Sequence, residues 1–168
     1  MSDERASPVC YGADADDVYM GYASRDDLLA ALNELLEAER AGARLALVSL
    51  QDAVGPDHEK MMRAIHADEA RWCAMLSHQI RRLDGKPSRN CGAFYGKAMA
   101  IADPVERLAF LNRGQIWVVR KLSELIRGVR DDDLHAELRR MAESHRENID
   151  AANEFLNQRR RTEERGYF

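Results

Sequence analysis

The sequence is short of the residues that make turns, staples and membrane spans. Among 168 residues there are 10 Gly, 4 Pro and 3 Cys, and only 7% are aromatic. So few Gly and Pro exclude a disordered chain and a β-sandwich rich in tight turns. Cys10, Cys73 and Cys91 lie far apart, with no CxxC pair. An odd cysteine count without a secretion signal reads as reduced thiols in a cytoplasmic protein. Positive charge is not in excess: the net charge is −4, so no basic field is available to hold a phosphate backbone, and no nucleic-acid partner is expected. No run of 18 apolar residues occurs, so no membrane span is expected. The first residues, Met1 to Arg5, are acidic and lack an apolar stretch, unlike a signal peptide. There is no Gly-rich phosphate loop, no Ser-His-Asp set and no basic DNA-reading helix.

What is abundant is Ala, Leu, Arg and Glu, all strong helix formers. The length fits one domain of about 150 residues, able to bury roughly 70% of its unfolded surface without a disulfide or structural metal. Residues 1–23 show no helical period and read as an N-terminal arm, either loose or packed through Tyr11, Tyr19 and Tyr22. Residues 24–160 hold four helical patterns. Ser24 with Asp27 forms an approximate capping box for the first, whose stripe is Leu28, Leu32, Leu35, Ala43, Ala46 and Leu50. Val54-Gly55-Pro56 stops it, and Asp57 starts the second, with Met62, Ile65, Leu76, Ile80 and Leu83 on one face. Leu83-Asp84-Gly85-Lys86-Pro87 ends that helix, with Gly85 expected as the left-handed cap. Asp103-Pro104 opens the third, and Asp131-Asp132-Asp133 suits the start of the fourth. Residues 161–168 read as a charged tail, with fraying expected from Arg159.

Short connections inside each pair of helices make antiparallel neighbours, while residues 85–103 form a long segment between the pairs. Phe94 and Tyr95 within it require burial, which favours a crossover over a floppy loop. The expected architecture is therefore all-α, two antiparallel hairpins joined by a long crossover.

Each stripe skips one position, and the skipped residue is polar: Glu39, Glu69, Gln115 and His145 in the four helices respectively. All four fall near mid-helix, so they share one layer of an antiparallel bundle. Two buried carboxylates need something positive between them. A metal ion is one solution, and oxygen ligands with an imidazole suit iron or manganese, and also zinc. The alternative is a metal-free polar network completed by His145 or by a nearby cation from Arg113, Arg120 or Lys121.

Leu32-Asn33-Glu34-Leu35-Leu36-Glu37-Ala38-Glu39-Arg40-Ala41-Gly42 resembles the first helix of bacterioferritins and their ferritin-like relatives, the rubrerythrin-like bundles among them. His66 to Pro87 resembles their second helix. As a whole the chain is similar to uncharacterised bacterial ferritin-like proteins with an incomplete di-iron motif. That family's site uses a Glu from each of two helices and Glu-x-x-His from the other two. The resemblance implies that Glu39 and Glu69 match family carboxylates and His145 matches a family histidine. Trp72 stands where Glu69's i+3 histidine would be, Ala142 stands where the glutamate before His145 would be, and Gln115 falls at or near the third-helix glutamate. Three ligands remain, with Gln115 a weak fourth, enough for one ion and not two. Iron there would suit oxygen or peroxide chemistry; the sequence names no substrate, and a small-ligand binder using the region of Trp72 and Trp117 is a further alternative.

His66, three residues before Glu69, is either an extra ligand or a helix-edge residue. His58, His78 and His135 are expected on exposed faces, and Cys73 as a small buried hydrophobe. Phe110 and Trp117 make a second apolar edge, expected to serve as a homodimer surface unless Phe94 and Tyr95 cover it.

Overall fold

The structure is a computed structural model that describes residues 17–18 and 20–165. The arm expected over residues 1–23, including Cys10, Tyr11 and Tyr19, falls mostly outside them. Its end is visible: Arg130 Nη1 donates to Asp17 at 2.8 Å, and Ala23 N–H donates to the Gly128 carbonyl at 2.9 Å.

The described residues are all-helical. Four long helices, α1 (Arg25–Ser49), α2 (Pro56–Arg82), α4 (Pro104–Ile126) and α5 (Asp132–Arg165), are accompanied by the short α3 (Phe94–Met99). α1 packs along α2 and α4 along α5, as their short connections require, and the pairs meet through α1 on α4 and α2 on α5. No helix among the described residues is long and apolar enough to cross a membrane.

The starts follow the local signals. Ser24 Oγ accepts the Asp27 N–H at 3.1 Å, and Asp103 accepts from Val105 and Glu106 N–H, both at 2.8 Å, with Pro104 at the first helical position. Three expectations need correction. The left-handed residue after α2 is Asp84, at φ 56°, and not Gly85. A Cβ at Gly85 would crowd the Ile80 carbonyl at 3.0 Å and displace the end of the Leu29 side chain, so glycine eases the close approach there. α2 also begins one residue earlier than expected, at Pro56. Finally, the C-terminal residues stay helical to Arg165, helped by Thr162 Oγ1 donating to the Gln158 carbonyl and Gln158 to Glu154.

The core has two parts along the axis. Leu32, Leu36, Trp72, Leu76, Leu122 and Leu138 belong to one, and Leu45, Met62, Ile65, Leu108, Leu111 and Ala152 to the other. Residue numbers place the polar layer between them.

The crossover carries α3, and its apolar residues are used. The Phe94 ring stacks on Phe110 with centroids 4.9 Å apart. It lies where Gly114 has no side chain, since a Cβ there would come within 2.7 Å of it. Phe94 thus covers Phe110, while the Tyr95 ring faces the Arg44 guanidinium at 4.2 Å.

Candidate metal centre

All four polar residues that interrupt the stripes are buried: Glu39 is 0% exposed, His145 1%, Gln115 2% and Glu69 3%. Glu39, Glu69 and His145 come together, each offering one ligand atom within 4.8 Å of the others. They arrive from α1, α2 and α5.

His145 Nδ1 lies 3.0 Å from the Met141 carbonyl, one helical turn back. A carbonyl only accepts, so this contact places a proton on Nδ1 and leaves Nε2 to face Glu39, as a lone pair in the neutral ring or as an N–H in the imidazolium. Nε2 is 3.2 Å from Glu39 Oε1. Among the described residues, no backbone group, Arg, Lys, Ser or amide donates to either atom or to Glu39 Oε2; the Glu69 carboxyl is the group left to share a proton with Glu39. Buried acceptors facing one another without a donor between them are costly, and a proton or a cation relieves that cost.

The electrostatics agree. Burial pushes the Glu39 carboxyl up to about 8, with a hydrogen bond to the Glu69 carboxyl opposing and the charge of Asp68 adding. Burial also raises Glu69 well above the usual carboxylate range, and the charge of Glu39 raises it further. Two of the expected cations are engaged elsewhere, while His145 is at the site. Lys121 pairs with Glu34 at 3.2 Å, and the Arg113 guanidinium lies over the Phe110 ring. Among the described residues, no Arg or Lys forms an ion pair with Glu39 or Glu69.

Two residues that support the site were missed. Gly42 faces Glu69 from α1: a Cβ there would lie 2.5 Å from Oε2, so the glycine makes room for the carboxylate. A mid-helix glycine costs about 1 kcal/mol relative to Ala, and that cost was the available signal. Asp68 ties α2 to α5 beside the site by accepting from Ser144 Oγ at 3.0 Å and Asn148 Nδ2 at 3.1 Å, and it pairs with Arg71.

The other histidines lie outside the group. His66 Nδ1 is satisfied by the Ala43 carbonyl at 2.9 Å. The expectation of an exposed His58 fails: it is 0% exposed, accepts the Val54 N–H on Nδ1 at 3.1 Å, and stacks on Phe155. Burial lowers its pKa. Cys73 is half-buried and burial pushes its thiol up to about 12, which suits an inert thiol.

Gln115 lines a cavity of about 430 Å³ that Glu69 also lines. Phe94, Phe110, Leu111, Trp117 and Val118 form its walls, and the exposed Glu34 and Arg113 stand at its outer edge. Both polar atoms of the Gln115 amide lack a hydrogen-bond partner.

No curated protein and no solved structure matches the chain. A family model described as a domain of unknown function (DUF6306) matches residues 26–154, which take in α2, α3, α4, nearly all of α1 and α5 as far as Glu154. The chain belongs to the DUF6306 family.

Proposed function

We propose that this is a divergent ferritin-like protein that binds one divalent metal ion, iron or manganese, through Glu39, Glu69 and His145. The observation that carries the reading is the buried His145 Nε2 facing Glu39 Oε1 at 3.2 Å, with a Glu69 oxygen within 4.8 Å of both and, among the described residues, no Arg or Lys paired with either carboxylate. The donor set fits. Two carboxylates neutralise one divalent ion, and oxygen with imidazole suits iron or manganese. The Nδ1 contact to Met141 fixes the ring, as an outer partner of a metal-bound histidine does. Iron held there with an open position would supply oxygen or peroxide chemistry. The chain's own residues would hold the ion, exclude bulk water through the two apolar clusters, and leave Glu69 facing the cavity.

A second reading has its own support. With Glu39 raised to about 8, a proton shared by the two carboxyls can stand where the cation would. The protein is then a metal-free bundle whose polar layer fixes helix register.

Metal analysis separates the two. Protein purified without chelator, challenged with Fe, Mn and Zn and desalted, is expected to retain about one ion per chain, with Glu39→Gln retaining far less. Retention below about 0.1 ion per chain by the parent protein would overturn the metal reading. A cytoplasmic location belongs to the same proposal; Phe94 covers the Phe110 part of the edge expected to make a homodimer, and size-exclusion chromatography with light scattering tests whether the rest still makes a dimer.

A further inference from the structure

The cavity beside the metal centre has the build of a small-molecule site. About 430 Å³ is within the range of roughly 300–1,000 Å³ found for ligand pockets, near the size that suits a one- or two-ring molecule. Three aromatic side chains, Phe94, Phe110 and Trp117, line it together with Leu111 and Val118. Such walls favour a flat apolar body.

Its polar equipment is sparse and specific. Gln115 is 2% exposed, and neither its amide nitrogen nor its amide oxygen has a hydrogen-bond partner. An amide both donates and accepts, so its natural complement does the same. A hydroxyl does; a hydrocarbon does neither and a carboxylate only accepts. The charges argue for a neutral ligand. Glu69 lies deep in the cavity, Glu34 and Glu37 line it further out, and Arg113 is its one lining cation. An anion would meet the carboxylates, and an ammonium group would compete with the metal for Glu69.

We infer that this cavity binds a small neutral aromatic molecule bearing one hydroxyl group, with its ring among Phe94, Phe110 and Trp117 and its hydroxyl on Gln115 beside Glu69. The inference deepens the metal-centre reading and rests on it for any reaction of that ligand and for the exclusion of an ammonium group, though not for the binding of phenol itself.

The test uses phenol, toluene and benzoate as probes, with binding followed by ligand-observed NMR on the full chain, metal-free and manganese-loaded. Phenol is expected to bind at least about fivefold more tightly than either other probe. Gln115→Leu is expected to abolish the preference for phenol over toluene while retaining toluene binding and manganese content. Ala93→Trp, an exposed crossover position that lines the cavity, is expected to abolish binding of all three while leaving the fold intact. No phenol binding in either form, or benzoate binding more tightly than phenol, would overturn the inference. So would loss of manganese from Gln115→Leu, which would make Gln115 a ligand of the ion. Failure of manganese to load, with phenol still bound, would overturn the metal reading alone.

Discussion

Nε2 of His145 stands 3.2 Å from Oε1 of Glu39, buried, and among the described residues no backbone group, Arg, Lys, Ser or amide donates to either atom. With an Nδ1 proton directed at the Met141 carbonyl, Nε2 and the carboxylate oxygen are left to share whatever lies between them. That arrangement is stable only with a proton or a cation between them, and the consequences differ for the two.

Glycine 42 should separate the needs of the site from those of the fold. Gly42→Ala places a methyl 2.5 Å from Glu69 Oε2, the far end of a flexible side chain that can move aside. The substitution removes a mid-helix glycine penalty of about 1 kcal/mol. The metal-free protein is expected to keep or slightly gain stability in urea denaturation, while manganese affinity falls at least about tenfold, the scale seen for disturbed supporting residues. Unchanged affinity in calorimetric titration would contradict the role given to this glycine.

The metal-free protein should lose stability as pH rises. Glu39 has a folded value of about 8 against an ordinary 4.5, and Glu69 is also raised. Between those values the folded chain binds more protons than the unfolded chain, so stability is fully present below about 4.5 and lost as pH passes through about 8. Buried His58, with its pKa lowered from 6.5, has the opposite sign: its cost is felt in acid and fades as pH rises through its folded value. The carboxyl effect is therefore least opposed between pH 6.5 and 8. Tm measured by circular dichroism should fall over that window and fall less in Glu39→Gln. Metal affinity should rise over the same window, since the ligands must be deprotonated.

Asp131 joins two helix ends. Its Oδ1 accepts the Leu134 N–H at 2.7 Å and is paired with the Arg82 guanidinium. That guanidinium, first, and the Leu134 N–H hold its carboxyl below the usual range. Asp131→Ala is expected to cost about 1–2 kcal/mol in urea denaturation, mostly through the lost cap. Asp131→Asn keeps an acceptor and should recover most of that cost; equal losses in both variants would assign the effect to the ion pair.

The candidate site was legible because a buried polar residue breaks an apolar stripe. Glu39, Glu69, Gln115 and His145 were singled out in that way, and all four are buried. The same reasoning failed for His58, which sits two residues after Pro56 with too little periodic sequence before it to set a face, and whose burial depends on Phe155 from α5. Helix α3 spans only Phe94–Met99, too short for a helical period to show, although the need to bury Phe94 was visible. Gly42 escaped because glycine contributes an absence, and the carboxylate that fills its place belongs to another helix. The Asp84 turn shows the same limit: Gly-Lys-Pro marks the stop, but the left-handed residue is set by backbone geometry one position earlier.

The most direct measurement is anomalous diffraction from crystals of the manganese- or iron-loaded protein, collected on both sides of the metal absorption edge. One anomalous peak per chain is expected, bounded by Glu39, Glu69 and His145 Nε2 at about 2.0–2.3 Å. A map with no peak among these three residues, and with His145 Nε2 and Glu39 instead sharing a hydrogen bond, would contradict the metal reading.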